Sequence, residues 1–150
     1  MNISRTVSAL FSLIAIMVSL QRISVHADEV ILNAKWSGEG QIHSDGGPVL
    51  NCNSVTLELD ETMVGFFIDD FWMGCSDKAH FWLPLALEIR NGPQLWFKDE
   101  RVGDIQELFF NFSLDRTGQS MKFVMDESKC RATLEAAWKG MTFTGTLIKD

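Results

Sequence analysis

An all-β fold, specifically an antiparallel up-and-down β-barrel of about 8–9 strands with a β-sandwich as the alternative, follows from three observations on this chain. Short apolar runs alternate with turn signals from residue 28 onward, and no sustained stretch repeats apolar residues at helical spacing. Most connections are hairpin-length, so consecutive strands join as neighbours. A Greek-key sandwich needs a long crossover, whereas the longer loops here fall near residues 44–54 and 73–80. Closure into a barrel is therefore favoured over two stacked sheets.

Residues 1–27 stand apart and read as a cleavable signal-peptide helix. Arg5 supplies the positive start, residues 7–20 form an apolar run, and Val25-His26-Ala27 places small or short residues at the cleavage position. A membrane anchor competes with this reading, but a run of 14 residues is short of the roughly 20 that span a bilayer, and Gln21-Arg22 follow at once. Cleavage leaves residues 28–150 as one secreted domain of 123 residues, long enough to bury a continuous core. Removing Arg5 and Arg22 from 13 basic residues leaves 11 against 20 acidic ones, a net charge of about −9. That balance, with Lys and Arg dispersed singly, argues against a nucleic-acid partner. The expected location is secreted or periplasmic, without a stable membrane span.

The first strand, residues 32–43, alternates Ala34, Trp36, Gly38, Gly40 and Ile42 with Lys35, Ser37, Glu39, Gln41 and His43, so Trp36 faces inward. Its paired glycines predict a sharp bend or a close backbone approach, as a closing barrel requires. Beyond the loop at residues 44–48, Val55, Leu57 and Leu59 alternate with Thr56, Glu58 and Asp60, and Asp60-Glu61-Thr62 turns the chain back. Residues 63–73 load both faces with Phe66, Phe67, Ile68, Phe71 and Trp72 around Asp69-Asp70, which predicts a strand covered on both sides or bulged. Residues 81–90 carry Leu83, Leu85, Leu87 and Ile89 on one face, while Pro84 implies an edge position, a bulge or a late start. Asn91-Gly92 is a hairpin signal into residues 94–98.

Residues 99–103 read as a further turn, after which Phe110, Phe112 and Leu114 alternate with polar partners. Arg116-Thr117-Gly118 turns into Met121, Phe123 and Met125. Ala132, Leu134, Ala136 and Trp138 follow, and Lys139-Gly140 turns into the last strand with Phe143, Gly145 and Leu147.

Trp36-Ser37-Gly38-Glu39-Gly40 resembles the W-x-G-x-G opening strand of calycin-type barrels, the lipocalin, fatty-acid-binding and nitrobindin-like group. Phe143-Thr144-Gly145-Thr146-Leu147 is similar to their closing strand. The resemblance covers the two ends and the strand count; Ala34 stands where lipocalins usually carry glycine. It implies an eight-stranded barrel with a hydrophobic pocket at one mouth and no catalytic residue. Haem binding does not carry over, because no His follows His80.

Cys52, Cys75 and Cys130 predict, after export, one disulfide and one remaining thiol. Cys52 and Cys75 are the best pair: a hairpin about residues 61 and 62 brings residue 52 near the low seventies, leaving Cys75 a few residues beyond direct register. A mixed zinc site from His43, His80, Cys52 and Cys75 lacks paired close-spaced ligands, and surface histidines are the plainer reading, so no metal is expected. The carboxylate pairs Asp60-Glu61 and Asp99-Glu100 lie in turns. Asp69-Asp70 interrupts an aromatic segment, where a solvated bulge outweighs a buried carboxylate. Asn111-Phe112-Ser113 fits a glycosylation sequon, but within a strand.

Five Trp and ten Phe in the exported part, with Tyr absent, form the most distinctive interior feature. Trp36, Phe66, Trp72, Trp82, Trp96 and Trp138 are the candidate ligand-binding residues, joined by Phe67, Phe71 and Phe81. A barrel of this size either fills itself or holds one small ligand. Two functions therefore stand side by side: a binding protein for a small apolar or amphipathic molecule, and a structural or protein-interaction module with an envelope partner and a filled core. A hydrolase is a distant third, since no nucleophile motif occurs, and neither catalytic residues nor a cofactor are expected.

Overall fold

Period-two alternation, broken by turns that need positive φ, produces eleven strands in the computed structural model, which describes residues 32–82 and 84–150. They are β1 (Ala34–Ser44), β2 (Leu50–Glu61), β3 (Gly65–Cys75), β4 (Ala79–Trp82), β5 (Leu85–Arg90), β6 (Gln94–Phe97), β7 (Glu100–Gln106), β8 (Phe109–Leu114), β9 (Gln119–Met125), β10 (Arg131–Trp138) and β11 (Met141–Lys149). Residues 1–31, which include the stretch 1–27 read as a signal peptide, and Leu83 lie outside the described residues.

Every ladder is antiparallel. The sheet closes because β1 pairs with both β2 and β11, and β2 also pairs with β3. β4 lies along Phe71–Gly74 of β3 and β5 along Gly65–Ile68, so the two are halves of one strand position interrupted at Pro84. Ten strand positions therefore surround the axis, more than the 8–9 expected. The added strand is β7, which the charged residues Glu100, Arg101 and Asp104 disguised as a turn; Arg101 and Asp104 pair at 2.7 Å while Ile105 points inward.

A three-residue turn, Asn91 to Pro93, and a two-residue turn, Lys139-Gly140, fall where the sequence placed them. Asn91 (φ 53°) and Gly92 (φ 84°) follow β5, and Lys139 (φ 48°) and Gly140 (φ 75°) join β10 to β11, the backbone that tight hairpins need. Gly38 and Gly40 meet the β11 backbone so closely that a Cβ at either would run into the carbonyls of Thr146 and Thr144. At Gly40 that Cβ would also come within 2.5 Å of the Phe143 ring. The glycines predicted for close approach thus let the first and last strands close the barrel.

Three bulges set which way side chains point. Leu59 faces Ile68 but Glu58 faces Asp70, leaving Asp69 as the extra residue of β3; Asn53 is the extra residue of β2, and Val102 of β7. Asp69 and Asp70 are both exposed, as the solvated-bulge expectation had it. The bulge lets Ile68 and Phe71 both turn inward, which explains the unclean alternation in this segment.

Candidate functional site

The end of the barrel carrying the loop between β1 and β2 is termed upper; the opposite end holds Leu32 and the loop between β2 and β3. Inward side chains form two aromatic groups. In the lower group Trp36 meets Phe123 edge-on at 5.0 Å, Phe123 stacks on Phe110 at 5.3 Å, and Phe110 lies 4.6 Å from Phe66. In the upper group Phe71 contacts Phe143 at 5.7 Å and Trp82 at 6.0 Å, and Trp82 meets Trp138 at 5.5 Å.

Of the six candidate ligand-binding residues, Trp36, Phe66, Trp82 and Trp138 therefore face the interior. Trp72 and Trp96 do not. Phe71 and Met73 are buried on either side of Trp72, so strand alternation turns the indole outward, where it lies 6.4 Å from Phe81. Leu95 occupies the inward position of β6, and Trp96 opposite Glu88 points out, with Arg90 over its ring at 5.4 Å and its Nε1 donating to Gln94 at 3.3 Å. An interior assembled from all five tryptophans is corrected to one with three.

Two interior donors lack a partner among the described residues: Nε1 of Trp36 and Nε1 of Trp82. A buried N–H left unpaired costs about 1–3 kcal/mol, so each is a place where an acceptor would be stabilised. Their surroundings differ. Trp36, Phe66, Phe110 and Phe123 have no exposed surface; in the upper group Phe71 and Phe143 have none either, while Trp82 and Trp138 retain 4% and 7%.

His80 lies beside this upper group, in β4 two residues before Trp82 and opposite Met73, and is buried rather than on the surface as expected. Its Nε2 contacts Asp77 Oδ1 at 3.3 Å. Partial desolvation works against the Asp77 carboxylate, yet hydrogen bonds from His80 and from the Asp77 and Lys78 backbone outweigh it and hold its pKa below the ordinary carboxylate range. The inward position of Trp82 was the available signal for His80, since residues two apart on a strand share a face.

Cys52 and Cys75 form a disulfide and stand directly opposite one another. The displaced register expected for Cys75 is corrected by the turn, which falls later than residues 61 and 62. Thr62 N–H donates to the Gly65 carbonyl at 2.8 Å and Gly65 N–H to Thr62 Oγ1 at 3.0 Å, placing Met63, exposed at 93%, at the tip. Cys130 is an exposed thiol. The disulfide occupies both sulfurs, and His43 is exposed on β1 while His80 turns inward, so the four residues considered for zinc are not brought together.

Asn111 is on the outer face, opposite Lys122. It borders a depression of about 330 Å³ together with Lys122 and Glu135; a second, of about 560 Å³, is lined by Glu39, Asn53, Arg131 and Thr146. These depressions lie on the outside of the wall. Among the described residues no helix is long and apolar enough to cross a membrane.

The chain matches no family model and no curated protein sequence. Among solved structures it is similar to a de novo designed fluorescence-activating β-barrel, over 78% of this chain and 92% of that one, at 15% identity and a TM-score of 0.40.

Proposed function

We propose that the protein is an exported, calycin-like binding barrel for a small amphipathic molecule, seated at the upper end of the interior with an acceptor oxygen on Trp82 Nε1. The observation that carries this reading is the buried indole N–H of Trp82, without a partner among the described residues, at the end where Trp82 and Trp138 retain some exposure and beside the rings of Phe71 and Trp138. An apolar body would stack on those rings while its acceptor removes the cost of the open donor. Support for the family likeness comes from the pairing of the Trp36 strand with the Phe143 strand, although ten strand positions depart from eight.

Binding, not catalysis, is the proposed role. Among the described residues His80 is the one buried polar or charged side chain, and its contact is Asp77 rather than a nucleophile. Export is supported by the leader pattern and by the disulfide, which an oxidising compartment maintains. The test is titration with fatty acids, retinoids and neutral apolar probes while Trp emission is followed. Stoichiometric quenching that weakens about tenfold in Trp82→Phe is expected, because Phe keeps the ring and loses the donor. A flat response across the panel overturns the reading. Mass measurement of the exported protein should place its first residue at Asp28.

A further inference from the structure

We propose that the outer face of β3 and β4, with the free edge of β4, docks an extended cationic segment of a partner protein. Three features converge there. β4 has a strand neighbour on one side only among the described residues. Cys75 N–H donates to the Lys78 carbonyl at 3.0 Å. Alternation along the ladder then commits the backbone groups of His80 and Trp82 to β3 and leaves those of Ala79 and Phe81 pointing away from it. An incoming strand finds its main-chain partners at these positions.

The second feature is apolar. Phe81 is 65% exposed and pairs across the outer face with Trp72. Gly74 lets the Trp72 indole lie along the sheet, since a Cβ there would come within 2.7 Å of the ring. Two neighbouring aromatic rings on an outer face offer their π surfaces to a cation.

The third feature is charge. Asp69, Asp70 and Glu58 are exposed next to Trp72, and Glu58 stands directly opposite Asp70. Like charges in that position repel, and a bound Arg or Lys removes the repulsion. A second copy of this chain, at net charge −7, lacks the complementary sign. An anionic lipid surface would be repelled by the same carboxylates. Lys78, exposed immediately before β4, would repel basic residues of the partner and favour their placement toward Asp70.

The probe is a synthetic peptide alternating Arg with Val, titrated into the protein against the same peptide with Glu in place of Arg. Amide shifts centred on Ala79 and Phe81 and a change in Trp72 emission are expected for the Arg peptide alone, with affinity falling as salt rises. Asp69→Asn with Asp70→Asn should weaken binding roughly tenfold, as should methylation of the peptide's ladder-forming N–H groups, while Glu135→Gln, on the exposed face of β10, leaves it unchanged. Absence of binding, equal binding of the Glu peptide, shifts located elsewhere, or capture by anionic vesicles in place of the peptide overturns the proposal.

Discussion

Trp36 and Trp82 are the same side chain at opposite ends of one barrel interior, each with an indole N–H that finds no partner among the described residues. Trp36 is enclosed by rings without exposed surface, while Trp82 adjoins Trp138 and the partly polar pair His80–Asp77. The two donors are chemically alike and differ in reach. The lower one is a cost the fold carries, offset by the apolar area around it, and the upper one is where, on the proposed function, a bound molecule would relieve that cost.

The largest test of this contrast is truncation. Trp36→Ala should cost about 3–5 kcal/mol, with Trp82→Ala at the lower end of that range, because the upper end is less enclosed and water can enter the space left behind. Urea unfolding of both variants measures it, and a larger loss at Trp82 would break the comparison. Next comes the covalent brace at the upper end. Cys52→Ser with Cys75→Ser, across a separation of 23 residues, should remove roughly 3 kcal/mol in the chain-entropy picture. If the upper end is the mobile one, the double variant should raise amide exchange near residues 52 and 75 before it does so near Trp36.

A smaller effect separates the donors directly. Trp82→Phe should weaken ligand binding about tenfold and Trp36→Phe should leave it unchanged, so equal losses would assign the ligand to neither end alone. The smallest concerns Glu61 at the lower end, where burial pushes the carboxyl above its ordinary value of 4.5. A raised folded pKa favours the protonated form, so this group's contribution is present below pH 4.5 and is lost as pH rises through the folded value. Glu61→Gln should therefore raise Tm slightly at neutral pH and make no difference at pH 3, and a higher Tm for the parent at neutral pH would show the sign to be wrong.

Much of this arrangement was legible in the residues. Inward Trp36, Ile42, Leu57, Phe110, Phe123 and Phe143 all follow from alternation within single strands, which is a local property of extended backbone. The glycine pair in β1, the Asn91-Gly92 turn and the Cys52–Cys75 bond were likewise anticipated, the last with its register displaced. Residue type alone groups Trp72 and Trp96 with the interior rings, whereas the burial of Phe71 and Leu95 turns both of these neighbours outward. β7 is hidden in the sequence because a charged outward face on a closed sheet looks, residue by residue, like a turn.

The sequence by itself determined the all-β class, the meander of hairpins and the parity of each uninterrupted strand, since these depend on period-two patterning and on turn residues that act within a few positions. Tertiary structure alone decided the ten-position closure, the phase slips at Asn53, Asp69 and Val102, and the inward turn of His80. A bulge shifts every later side chain by one position, and what selects it is the ladder of a neighbouring strand. That partner can be distant in sequence, as β11 is from β1, so closure settles what local pattern leaves open.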